Sequence, residues 1–238
     1  MIGYDDEEQC IHLYDCGRKE KQSLSYKNLF LGMNIEHSQI SKPNTICTIR
    51  MDNPNSKEYI FKTSLEYKAN LFTNPPTSFL GVNGLKKFAK ELPNWEQELG
   101  KQETVKILRN MVEFFGSVPT IPNRLKGNNE EDKISFMCSR DRMSKVLVEI
   151  GSEYKNKNII HAGKIFLESG KLFQILCNIF IDYILGDKKN LYSASEVILN
   201  IADLEYSAYE EIKIGLKNVR LNDDRELKRL KKDKELCL

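Results

Sequence analysis

Helix breakers are scarce in this sequence. Its 238 residues hold 13 glycines and 7 prolines, below the combined share of roughly 12% that average usage gives. With 29% of residues charged, that points to long helices with solvated faces. Charge of one sign is also lacking: 36 Lys and Arg stand against 34 Asp and Glu, a net +2. A dedicated nucleic-acid binder carries a larger, clustered basic excess, so nucleic acid is not expected as a partner. No long apolar run occurs. The most apolar stretch, residues 175–185, contains Asn178 and Asp182 and is about half the roughly 20 residues a membrane span needs. The first residues, MIGYDDEE, have neither the basic nor the apolar region of a secretory signal. The expected setting is therefore cytoplasmic, without a membrane.

Motifs are missing as well. None of the six cysteines, at 10, 16, 47, 138, 177 and 237, forms a C-x-x-C pair, which argues against a zinc ribbon or a thioredoxin-type centre. Cys10-x-His12-x-x-x-Cys16 is the one cluster of ligand-type residues, and it lacks a fourth ligand, so no metal is expected. Neither G-x-x-x-x-G-K-[ST] nor G-x-G-x-x-G is present, and no cofactor is expected.

What is present divides at about residue 55. Before it, Gln9–Tyr14 alternates like a strand, Asp5–Glu8 reads as a polar hairpin turn, and Lys21–Leu24 begins a short third strand. Ser25 is placed to cap a helix reaching about Met33. A further strand is expected at 45–51. From Ser56 on the pattern is helical. Helices are expected at 56–71, with Ile60, Leu65 and Ala69 inward, at 82–92 and at 101–115. A Pro-containing loop at 116–129 precedes three long helices, at 131–154, 158–185 and 190–218. In the second, Ile165, Ser169, Leu172, Leu176, Ile179 and Tyr183 form one stripe. Residues 219–238 are a charged tail. The expected fold is α+β and mostly α: a short N-terminal β segment followed by a bundle of about six helices.

Two groups of residues carry candidate chemistry. Asp15 ends the second strand. A carboxylate there can orient an imidazole in a thiol-dependent triad, or it can simply cap the following turn. Cys16 is rejected as its nucleophile, because neighbouring strand residues point to opposite faces and an adjacent carboxylate raises a thiol's pKa. The second group joins Arg124 in the Pro-containing loop to Arg140, Asp141 and Arg142. Asp141, four residues after Met137, is expected on or beside an apolar helix face, where a charge needs a partner. The arginines either bind an anionic ligand such as an acyl-carrier group or form an internal ion-pair network. His37 and His161 have no companion acid at catalytic spacing.

Gly3-Tyr4-Asp5-Asp6 followed by Ile11-His12-Leu13-Tyr14-Asp15 resembles the last part of a papain-like cysteine peptidase fold. Leu24-Ser25-Tyr26-Lys27-Asn28-Leu29, Phe79-Leu80-Gly81-Val82-Asn83-Gly84-Leu85 and Leu92-Pro93-Asn94-Trp95 extend the likeness, over about 1–215, to the butirosin biosynthesis protein H family. That family joins a peptidase-like domain to a helical domain. Its founding activity moves an aminoacyl group from a carrier-protein thioester, through a cysteine, to an aminoglycoside amine. The resemblance implies that Asp15 is the orienting triad residue and that residues 1–55 are the end of the peptidase-like domain. The family's Cys and His lie N-terminal to the position of Gly3. The chain is therefore expected to be the C-terminal part of such a protein, inactive alone, with an N-terminal peptidase-like half or an acyl-carrier protein as partner. The alternative expectation is a stand-alone helical binding or scaffold protein.

Overall fold

The computed structural model describes residues 3–14, 20–33, 55–116 and 119–219. The chain divides into two compact units, Met1–Pro54 and Asn55–Leu238. The expected strand at 45–51 lies outside the described residues, as do Asp15, Cys16 and the tail from residue 220 on.

The first unit is an antiparallel meander of β1 (Gly3–Asp5), β2 (Cys10–Leu13) and β3 (Gln22–Ser25), in that order, followed by α1 (Tyr26–Met33). Gly3 pairs with His12 and Asp5 with Cys10, while Cys10 also pairs with Ser25 and His12 with Ser23. The acidic turn works as a carboxylate cap. Asp5 Oδ1 accepts from the backbone N–H of Glu7 and of Glu8, each at 3.0 Å, which holds its carboxyl below the ordinary value. Tyr26 fastens the helix start to this turn, its hydroxyl donating to Asp6 Oδ1 at 2.7 Å and its N–H to Gln9 O at 2.8 Å. Ser25 Oγ accepts from Asn28 N at 3.3 Å, the expected N-cap. Cys10 and Ile11 are buried in this unit, but no residue of α1 is.

The second unit is helical: α2 (Lys57–Thr73), α3 (Gly81–Glu91), the short α4 (Trp95–Leu99), α5 (Lys101–Phe115), α6 (Arg140–Glu153), α7 (Lys157–Leu185) and α8 (Tyr192–Leu216). Ser56 caps α2, accepting from Tyr59 N at 3.1 Å. Asn156 caps α7, accepting from Ile159 N at 3.2 Å, and its amide donates to Gly215 O at 2.9 Å, tying the start of α7 to the end of α8. At 1.5 Å per residue, the 29 residues of α7 span about 43 Å.

Two apolar cores lie along α7 and α8. One gathers Leu92, Leu108, Val112, Phe115, Phe180 and Ile198 with α3 and α5; the other gathers Phe61, Leu65, Leu147, Phe166, Ala208 and Ile212 with α2 and α6. Each fully buried Leu or Phe contributes roughly 1.5–3 kcal/mol. The α7 stripe includes Ser169, Leu176, Ile179 and Tyr183 as expected, while Ile165 and Leu172 sit at its edges. Gly163 lets α6 and α7 approach closely, since a Cβ there would stand 2.9 Å from Val148 Cγ2 and 3.0 Å from Ser144 O.

Two expectations are corrected. The helix placed at 131–154 begins only at Arg140. Cys138 and Ser139 have φ of 50° and 60°, a left-handed backbone that a right-handed helix cannot run through. Side-chain periodicity over 134–150 does not register that break. The second correction concerns α2, whose buried residues are Tyr59, Phe61, Leu65, Ala69 and Thr73. Ile60, expected inward, is 53% exposed.

Candidate functional site

The most buried charge in the helical unit is Glu205, in the middle of α8, with no solvent exposure. Its position follows from the helix period: Ile198, Ile201, Ala202, Ala208 and Ile212 share its face. A carboxylate there requires strong partners, and it has three hydrogen bonds. Arg140 Nε donates to Oε1 at 2.6 Å, Arg140 NH2 to Oε2 at 3.0 Å, and the Ser169 hydroxyl to Oε1 at 2.8 Å. The guanidinium also donates through NH1 to Cys138 O at 2.9 Å and lies over the Phe173 ring, 4.8 Å from its centroid. Burial alone would lower the Arg140 pKa, but the hydrogen bonds and charge of Glu205 outweigh it and the value is raised. Arg140 is thus fixed by its first position in α6, by Ser169 and Phe173 on α7 and by Glu205 on α8.

Arg124 stands in a 3-10 turn, Asn123–Lys126, and pairs with other carboxylates: NH1 is 2.9 Å from Asp182 Oδ1 and NH2 is 3.8 Å from Asp187 Oδ2. The loop closes on itself where Asn123 N donates to Asp132 Oδ1 at 2.8 Å. Asp141 occupies the first turn of α6, where the helix dipole favours a carboxylate. Neither Asp141 nor Arg142 has an ion pair among the described residues. The four residues grouped from the sequence therefore do not form one cluster. Arg140 pairs with the buried Glu205, and Arg124 with Asp182 and Asp187 elsewhere. Glu205, the true partner of Arg140, was readable as an acid inside an apolar stripe at helical spacing. The remaining candidate, Asp15, lies outside the described residues; β2 ends at Leu13, two residues before it.

Two of the described thiols, Cys138 and Cys177, offer little nucleophilic character. Burial pushes Cys177 up to about 12 and also raises Cys138, where the charge of Arg140 opposes the shift. His12 Nδ1 lies 3.1 Å from Ser23 Oγ across the β2–β3 pair, and His161 is exposed on α7. No group of three or more His, Cys, Asp or Glu among the described residues is placed to hold a metal ion. No helix there is long and apolar enough to cross a membrane.

A different feature of the helical unit is open to ligands. A slot of about 410 Å³ runs between α2 and α6, walled by Ile60, Phe61 and Leu65 on one side and by Met143, Val146 and Ile150 on the other. Tyr154 closes one end. Its hydroxyl donates to Glu58 Oε1 at 3.0 Å and its ring stacks on Phe61 with centroids 5.7 Å apart. Ile60 and Val146, at 53% and 48% exposure, leave the slot lined by apolar surface that water still reaches. No family model, curated protein or solved structure matches the chain.

Proposed function

We propose that residues 1–55 supply the closing β-meander and the orienting carboxylate, Asp15, of a cysteine-dependent aminoacyltransferase or peptidase-like protein resembling the butirosin biosynthesis protein H family. The observation that supports this reading is the meander itself. A carboxylate-capped turn joins β1 to β2, and β2 runs out two residues before Asp15. In such a site an imidazole takes the thiol proton, the thiolate attacks the donor thioester and the carrier thiol leaves with that proton. The amine then attacks the acyl-enzyme thioester, the imidazole takes its proton and the enzyme thiol is released. The carboxylate holds the imidazole in the required tautomer. The thiol and imidazole come from polypeptide outside residues 1–238, and the acyl donor is carried by a carrier protein. The chain alone is inactive. Its setting is the cytoplasm, where the thiols of Cys10, Cys138 and Cys177 stay reduced.

The test mixes the purified chain with an aminoacyl thioester and an aminoglycoside amine. No transfer is expected from the chain alone. Transfer is expected once a peptidase-like half bearing the Cys and His is added, and Asp15→Asn lowers it sharply. Cysteine-dependent turnover by residues 1–238 alone refutes the reading.

One observation favours a second reading, a stand-alone helical binding or scaffold protein: the open apolar slot between α2 and α6. Limited proteolysis separates the two. A cooperative unit resistant from residue 1 onward supports the stand-alone protein, whereas resistance from about residue 55 onward supports the first reading.

A further inference from the structure

The slot between α2 and α6 carries unpaired positive charge. Lys57 and Lys68 line it from α2. They are 11 residues apart, just over three turns, so they fall on nearly one line along the helix, about 16 Å from end to end. Arg142 is exposed one residue before Met143, at the end of the slot opposite Tyr154. None of the three has an ion pair among the described residues. Against them stand Glu153 on the slot's wall and the exposed Glu149, two turns along α6 from Arg142, while Glu58 accepts the Tyr154 hydroxyl, so the cations on and beside the slot outnumber its free carboxylates by three to two. An apolar trough about three turns long, bordered by free cations, is complementary to one kind of occupant.

We infer that the slot binds an acidic amphipathic helix of a partner protein, about three turns long. Its apolar side chains, at i, i+3, i+4 and i+7, enter between the α2 wall (Ile60, Leu65) and the α6 wall (Val146, Ile150). Its carboxylates meet Lys57, Lys68 and Arg142. The lysines act mainly through orientation and rate of encounter, since exposed ion pairs contribute little affinity each. The apolar contacts carry the rest. This inference rests on the stand-alone binding reading and adds the partner's chemistry to it.

The experiment uses the full chain and a fluorescein-labelled, Ala-rich 14-residue peptide with leucines at those four positions and glutamates along both flanks. A twin carries lysine for each glutamate. Fluorescence anisotropy is expected to show the acidic peptide binding at least about tenfold tighter than its twin at low salt, with the gap closing as salt rises. Val146→Asp places a charge in the middle of the trough and should weaken binding about thirtyfold or more. Val146 is half exposed, so the melting temperature of this variant should stay close to that of the parent. The combination Lys57→Glu, Lys68→Glu should invert the preference, favouring the basic twin, a result that mere destabilisation does not produce. Equal binding of the two peptides, or binding indifferent to Val146→Asp, overturns the inference. So does a concentration-dependent dimer in sedimentation that Val146→Asp abolishes, which would make a second copy the occupant. If the chain resists protease from residue 1 but binds neither peptide, the stand-alone reading survives and this inference fails.

Discussion

Replacing Arg140 by Met leaves the Glu205 carboxylate fully buried with one hydrogen bond, from Ser169, instead of three. Two charge-assisted hydrogen bonds at about 1.5–3 kcal/mol each, or equivalently one broken buried ion pair, give a loss of about 4 kcal/mol. Methionine keeps an apolar contact with Phe173, so lost packing adds little. For a domain of 150–250 residues, about 2–4 °C of melting temperature per kcal/mol makes the expected fall about 8–16 °C. Glu205→Leu should cost less. The Arg140 side chain is 27% exposed where that of Glu205 is 0%, so a released guanidinium can turn partly to water and keep its bond to Cys138 O. The double variant Arg140→Met, Glu205→Leu removes both charges together and should fall within about 1 kcal/mol of the parent. Urea unfolding followed by circular dichroism at 222 nm reads all four corners of this cycle. The reasoning is refuted if Arg140→Met costs under about 1 kcal/mol, or if the double variant costs the sum of the singles.

Three further outcomes are expected. Asn156→Ala removes both the cap of α7 and the tie to Gly215 O, and should lower unfolding free energy by about 2 kcal/mol; a change below about 0.5 kcal/mol in urea unfolding counts against that double role. Asp141→Ala touches only a favourable place in the first turn of α6 and should cost under about 1 kcal/mol, so a loss comparable to that of Arg140→Met would show Asp141 to be a member of the buried network. Burial holds the folded Cys177 thiol at about 12, against 9.0 ordinarily. A folded value above the unfolded one means that this contribution is intact below about pH 9 and is lost as pH rises toward 12. Stability of the parent should fall across that window, that of Cys177→Ala should fall less steeply, and equal slopes in urea midpoints against pH would remove Cys177 from the explanation.

The helices α2, α3, α5, α7 and α8 were legible because each repeats apolar residues at 3.6-residue spacing and starts or stops at a local signal, such as Ser56 or the Pro75-Pro76 pair. The start of α6 was not. Ile150, Leu147, Val146 and Met137 continue an apolar spacing that looks helical back to Ile134, and what ends it is the left-handed backbone at Cys138 and Ser139. Neither residue type advertises that conformation, which is fixed by long-range ties such as Cys138 N to Phe115 O. Ile60 misled for a related reason. With Tyr59, Ile60 and Phe61 in a row, periodicity alone gives three phases for the inward face of α2, and the packing of Phe61 on Tyr154 decides among them.

The same limit governs the charged residues. Arg140, Asp141 and Arg142 are adjacent in sequence, and adjacency suggested one site, but consecutive residues on a helix point about 100° apart. One turns inward to Glu205, one stays at the helix start and one faces solvent. The partner that matters is 65 residues away. It could be found only by asking why an acid interrupts the stripe Ile198, Ile201, Ala202, Ala208 and Ile212. A buried acid in a stripe calls for a base from another helix, and Arg140 is the arginine that opens a helix on the facing side of α7. Half-exposed apolar residues on the two walls of one slot, Ile60 on α2 and Val146 on α6, call in the same way for an occupant. Because Arg140 is neutralised internally and Arg142 is not, the chemistry available to a partner lies on the outer face of α6, beside the slot, and not at the buried pair.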